Sequence, residues 1–124
     1  MRTAAHAMIL MIEDHGDTKS FFVTTFEAQG YRVVTTLDVH TALRYAEVVQ
    51  FDAVVLDLEL RGGINSSEIS RRLRTLQQRC LIAIGGPDPK PGGHENAFDH
   101  FLKKPVVPAR LLAIVRECIL RDRE

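Results

Sequence analysis

The chain has no tryptophan, only two tyrosines and two cysteines, and no excess charge of either sign. Each shortage excludes something. Sixteen Lys plus Arg balance sixteen Asp plus Glu. Non-specific nucleic-acid binding depends on net positive charge, so no nucleic-acid partner is expected. No apolar run approaches the roughly 20 residues of a membrane span, so no membrane partner is expected either. Residues 1–7 lack a signal peptide's long apolar core, and Glu13-Asp14-His15 cuts the following run short. Nothing like GxGxxG follows the first apolar run, which argues against a nucleotide-binding protein. Cys80 and Cys118 lie in apolar segments with no CxxC or Cys/His ligand spacing. They are expected as two buried, reduced thiols rather than a disulfide or a metal site, in a cytoplasmic setting.

What is present is a pattern of apolar runs that end in acids. Val54-Val55-Leu56 stops at Asp57, and Met8 to Ile12 stops at Glu13-Asp14. Such runs suit strands buried on both faces, as in a parallel sheet. An acid ending such a strand stands at its carboxyl end, where open α/β sheets place their ligands. Two strands ending in three acids predict one acidic pocket.

At 124 residues and 45% hydrophobic, the chain is expected to form a single domain over 1–124, with a core of about 8–120. Strands are predicted near 8–13, 31–35, 53–57, 80–84 and 101–102. A first helix, capped by Asp17-Thr18, carries Phe21, Phe22, Thr25, Phe26 and Ala28 near one face and stops at Gly30. The second runs over 39–49. The third, capped by Ser66 or Ser67, shows Ile69, Leu73 and Leu76 as its apolar stripe. The last has Pro108 in its first turn and an apolar face of Leu111, Leu112, Val115, Cys118 and Ile119. Residues 85–97 hold three prolines and four glycines and cannot sustain a regular helix; a loop is expected, with at most one helical turn near 95–98. Arg71, Arg72, Arg74 and Arg79 are expected as a solvated basic face of the third helix, and the five histidines, which show no ligand spacing, as surface or loop residues.

In this order and spacing, Glu13-Asp14, Asp57 and Lys104-Pro105 make the chain resemble, over nearly its whole length, the receiver domain of bacterial two-component response regulators. The resemblance implies a flavodoxin-like doubly wound (βα)5 fold with a five-stranded parallel sheet of order 2-1-3-4-5, the fourth helix here reduced or irregular. It implies a phosphorelay module rather than a turnover enzyme. Asp57 is then the phosphoacceptor. Glu13, Asp14 and Asp57, with the backbone carbonyl of Glu59, hold Mg²⁺ or Mn²⁺, Glu13 through water. Lys104 meets the phosphoryl oxygens. The implied donor is a sensor histidine kinase or a histidine phosphotransfer protein, with output through protein contacts to a partner the sequence does not name.

The chain departs from the pattern in four places. The Ser or Thr expected at the end of the fourth strand is Gly85, followed by Gly86. The loop after the acceptor, 59–65, is about one residue longer and lacks the usual proline. Glu59 puts an acidic side chain beside the site, to repel phosphate or orient water. The fourth unit is short, and the aromatic switch position is Phe101, which has no hydroxyl. With no effector domain visible after residue 120, the expectation is a stand-alone receiver or one excised from a longer regulator or hybrid kinase. The alternative is a pseudo-receiver, an interaction module that does not switch by phosphorylation. A hydrolase of the haloacid-dehalogenase type, prompted by Asp57-Leu58-Glu59, is the least favoured.

Overall fold

In the computed structural model, residues 6–60, 65–85 and 98–122 are described. The elements run β1 (Met8–Ile12), α1 (Gly16–Ala28), β2 (Arg32–Thr36), α2 (Val39–Val48), β3 (Ala53–Asp57), α3 (Ser66–Thr75), β4 (Leu81–Gly85), β5 (His100–Lys103) and α4 (Pro108–Asp122). The strands form one five-stranded sheet in the order β2-β1-β3-β4-β5, every neighbouring pair parallel. The expected strand order is therefore observed. Segment 86–97, with its expected helical turn and reduced fourth helix, lies outside the described residues, as do residues 61–64 of the loop after Asp57.

Side chains alternate across a strand, and the core shows it. Ile9 and Met11 of β1 pack with Val55, Ile82, Phe22, Phe26, Leu111 and Val115 on the α1/α4 side. Leu10 and Ile12 pack with Val54, Leu56, Ala42, Leu43, Ile69 and Leu73 on the α2/α3 side. Both faces are covered, which is why β1, β3 and β4 read as unbroken apolar runs.

Several local expectations are corrected. Helix α1 begins at Gly16 with His15 as its N-cap residue, and no side chain caps it. Asp17 instead sits in the first turn, where a carboxylate favours the helix dipole. Of the α1 phenylalanines, Phe22 and Phe26 are buried but Phe21 is 68% exposed, because position 21 turns away from the sheet. Helix α3 is capped by Asn65, whose side chain accepts a 3.0 Å hydrogen bond from the Glu68 N–H. That bond satisfies the N–H of the third residue of the helix. Gly30 does follow α1, at φ 88°, where a left-handed residue closes a helix without a Cβ penalty. Arg79 lies beyond α3 and pairs with Asp122 at 3.5 Å, while Arg74 pairs with Asp99 at 3.1 Å.

The cysteines are the larger correction. Cys80 and Cys118 are joined as a disulfide, not held as separate thiols. Cys80 immediately precedes β4 and Cys118 lies on the sheet-facing side of α4, so the fold brings their Cα atoms to 5.8 Å, within bridging distance. A separation of 38 residues carries no local sequence signal for that pairing.

Candidate functional site

The sheet register assembles the acidic pocket. Ile12 pairs with Leu56, so Glu13 and Asp57 follow side by side at the carboxyl edge. The Glu13 N–H continues the ladder to the Thr36 carbonyl at 3.1 Å. By the alternation of β1 and β3, both carboxylates fall on the same face as Met11 and Val55, the α1/α4 side. Glu13 and Asp57 are buried, 4% and 2% exposed. One donor atom each from Glu13, Asp14, His15 and Asp57 lies within 4.8 Å of the others. Register pairing of Gly85 with Lys103 then brings Lys104, the next residue, alongside the same edge. The Lys104–Pro105 peptide is cis.

The two oxygens of Asp57 have different surroundings. Oδ1 accepts from Lys104 Nζ at 2.9 Å and from the Glu59 N–H at 2.9 Å. Oδ2 is buried and, like Glu13 Oε2, has no hydrogen-bond partner among the described residues when both groups are ionised. Lys104 Nζ also pairs with Glu59 Oε1 at 3.0 Å. The acidic side chain anticipated as repelling phosphate or orienting water is thus tied to the lysine. A cleft of about 550 Å³ opens beside these groups, bounded by Glu13, His15, Phe22, Ile84, Lys104 and Pro105. A second cleft of about 550 Å³ surrounds the cysteine pair at the opposite, amino end of β4 and β5. Its Arg74 and Arg79 are engaged by Asp99 and Asp122, so the acidic chemistry belongs to the first.

Charge sets the protonation of the pocket. Burial, then a hydrogen bond to Asp57 and that group's negative charge, push the Glu13 carboxyl up to about 8. Carrying its proton, Glu13 donates to Asp57; ionised, both present bare oxygens to each other. Burial also works to raise Asp57, but the hydrogen bonds from Glu13, the Glu59 amide and Lys104, with the lysine's charge, outweigh it and hold Asp57 below the usual carboxylate range. Burial works against the Lys104 ammonium, yet its bonds to Asp57 and Glu59 raise it above the ordinary lysine range. One lysine does not neutralise three acids. Two like charges 4 Å apart repel by about 4 kcal/mol at an effective dielectric of 20. Buried, undonated carboxylate oxygens from two strands suit a hard divalent cation that takes oxygen ligands.

At the switch positions, Gly85 and Phe101 touch. A Cβ built on Gly85 would stand 2.6 Å from Phe101 Cζ and 2.8 Å from Cε2. The ring fills the space that a side chain at residue 85 would need. The sequence named both residues but not their contact, since they are joined only through the pairing of β4 with β5. His15 is the group that sequence reasoning missed. It was expected as an ordinary surface residue, and it is 65% exposed, but Nδ1 stands 3.4 Å from Asp14 Oδ1 within the carboxylate cluster. Its position directly after Glu13-Asp14 was the available signal.

Comparison with known proteins agrees with this geometry. A family model for the response regulator receiver domain matches residues 9–116. The transcriptional regulatory protein PrrA of Mycobacterium leprae is 28% identical over 116 residues, covering 91% of this chain and 50% of the relative. The regulator HprR of Escherichia coli is 30% identical over 111 residues, covering 87% of this chain and 49% of the relative. The chain spans about half the length of these curated relatives. Among solved structures, the receiver domain of the sensor histidine kinase PA1611 of Pseudomonas aeruginosa, with a magnesium ion coordinated in its active-site cleft, is 25% identical at a TM-score of 0.78. That match covers 92% of this chain and 98% of the other. With most of its length matched, its sheet in the expected order and Asp57 in an acidic pocket at the carboxyl edge, the chain belongs to the response regulator receiver domain family of two-component signalling.

Proposed function

We propose that the chain, as a single receiver domain over 1–124, accepts a phosphoryl group on Asp57 from a sensor histidine kinase or a histidine phosphotransfer protein. The observation that carries this reading is the division of labour at Asp57. Oδ1 is held by Lys104 and the Glu59 amide, while Oδ2 is buried beside Glu13 and has no donor once that carboxyl is ionised. An Asp57 oxygen attacks phosphorus, the bond to the donor's leaving group breaks, and an acyl phosphate forms. Glu13, Asp14 and Asp57, with the Glu59 carbonyl, would hold Mg²⁺ or Mn²⁺, which supplies charge neutralisation for the incoming phosphoryl oxygens. Lys104 holds Asp57 in place and, on leaving Glu59, meets the new negative charge. The compartment we propose is the cytoplasm.

Intact-protein mass after incubation with acetyl phosphate tests this reading. One added phosphoryl group that requires both Mg²⁺ and Asp57 is expected, with none on Asp57→Asn; an equal adduct on that variant would refute the assignment. One observation favours a second reading, a pseudo-receiver acting by constitutive contact. The Phe101 ring already lies over Gly85, and residue 85 itself carries no hydroxyl to follow a phosphoryl group. Failure to gain mass together with failure to bind Mg²⁺ would select it.

A further inference from the structure

We propose that His15 is a fourth ligand of the acidic pocket, and that with it the pocket takes a first-row divalent transition ion in preference to Mg²⁺. The inference rests on the preceding reading of the pocket as a cation site. It adds a nitrogen donor to that site.

Three observations converge on the residue. Glu13, Asp14, His15 and Asp57 each bring a donor atom into a group no wider than 4.8 Å. Two donors sharing one ion through bonds of about 2.0–2.2 Å stand about 3.3–3.6 Å apart in a tetrahedral site and at most about 4.4 Å apart across an octahedral one, so the group has to close by about 0.4–1.5 Å. Two of its members, Glu13 and Asp57, are over nine-tenths buried, and once both are ionised Glu13 Oε2 and Asp57 Oδ2 have no hydrogen-bond partner among the described residues. Buried carboxylate oxygens of that kind call for a cation. Finally, the His15 imidazole has no structural duty in its own helix. The residue is the N-cap of α1, yet its side chain makes no capping hydrogen bond. It is exposed enough to rotate.

The chemistry of the donor set decides the class of ion. Carboxylates alone suit Mg²⁺, Ca²⁺ and Mn²⁺, whereas an imidazole among them suits the later first-row metals and zinc. The competing account of the 3.4 Å contact between His15 and Asp14 is a plain surface pair, whose contribution is about 0–1 kcal/mol and which selects no ion. Lys104 does not compete with the proposed ion for the free oxygen, because it engages the other oxygen of Asp57.

The test is calorimetric titration with Co²⁺ and with Mg²⁺ on the wild-type chain, His15→Ala and Asp57→Asn. Pulsed electron paramagnetic resonance of the Mn²⁺-loaded protein accompanies it, to detect nitrogen at the ion. The wild type is expected to bind Co²⁺ at least tenfold more tightly than Mg²⁺ and to show an imidazole nitrogen coupling to Mn²⁺. His15→Ala should lose that coupling and weaken Co²⁺ by about tenfold or more, the scale reached on losing even an outer partner of a ligand. Its Mg²⁺ affinity should stay within about twofold, and Asp57→Asn should lose both ions. Unchanged Co²⁺ affinity in His15→Ala, with Mg²⁺ still bound, would overturn this inference and leave the receiver reading standing. Co²⁺ bound undiminished by Asp57→Asn would place the ion elsewhere and also overturn it. A wild type that binds neither ion would sink both.

Discussion

Replacing Gly85 with alanine probes the contact that sets this receiver apart. The new Cβ would stand 2.6 Å from Phe101 Cζ, against an ordinary carbon–carbon separation of about 3.5–4.0 Å, so the ring has to withdraw. Phe101 is half-buried and packs on the α2/α3 side of the core. Fully burying a phenylalanine is worth about 1.5–3 kcal/mol, so displacing a half-buried ring forfeits about 1 kcal/mol. An off-rotamer side chain adds about 0.5–1.5 kcal/mol. Against this, alanine is favoured over glycine inside a strand by roughly 0.5–1 kcal/mol. Gly85→Ala alone should therefore destabilise by about 1 kcal/mol. In a Phe101→Ala background the obstacle is gone, and the same change should stabilise by about 0.5–1 kcal/mol. Urea denaturation of the four proteins in the double-mutant cycle measures the difference. A coupling of about 2 kcal/mol is expected; additivity within about 0.5 kcal/mol would refute the contact.

Three further outcomes follow from the same geometry. Because the folded state raises Glu13 from 4.5 to about 8, it holds a proton that the unfolded chain has released, so without metal this group's contribution to stability should fall as pH rises from 4.5 to about 8. Unfolding measured across that window should be flatter for Glu13→Gln, and equal slopes would refute the assignment; Mg²⁺ affinity of the wild type should rise with pH over the same range. Lys104→Met strands a buried Asp57 carboxylate and should destabilise by about 1–3 kcal/mol, reduced from the fully buried case because the lysine is 26% exposed. Glu59→Gln breaks only the half-exposed pair and should stay within about 1 kcal/mol; similar losses in the two variants would be incompatible with the observed geometry. Reducing Cys80–Cys118 opens a link across 38 residues, for which chain entropy allows roughly 4 kcal/mol; a denaturation midpoint unchanged by dithiothreitol or by Cys118→Ser would show that the bridge is not formed in solution.

The residues that exposed the fold to sequence reading were those whose burial pattern is local. Met8–Ile12 and Ala53–Asp57 read as strands because both faces of each are covered, and their terminal acids then fell at the carboxyl edge. Ends of elements were less legible. A histidine caps the start of α1 without using its side chain, and Asn65 competes with two adjacent serines for the cap of α3. Contacts between distant segments left no periodic trace. The cysteine bridge, the Lys104–Glu59 pair and the Gly85–Phe101 contact each depend on which strands adjoin. His15 was legible only as a neighbour of two acids, since a lone histidine is most often a surface residue.

The Gly85–Phe101 contact separates acceptance of a phosphoryl group from its relay. In the proposed function acceptance draws on Asp57, its cation site and Lys104, and the Lys104 backbone N–H donates to the Gly85 carbonyl at 3.0 Å, a strand-to-strand bond that a side chain at residue 85 does not enter. Relay in the family pattern draws on a hydroxyl at that residue, and a hydrogen bond to a charged group contributes about 1.5–3 kcal/mol. Here that contribution is missing, and the space beside it is already occupied by the ring. The Lys104–Glu59 pair is another element that a phosphoryl group would rearrange, and an exposed pair supplies about 0–1 kcal/mol. Full reversal of a two-state population takes about 5.5 kcal/mol of differential binding. On these magnitudes we expect phosphorylation to shift the conformation only partly, leaving a partner to read the new charge at the carboxyl edge rather than a repacked β4–β5 face.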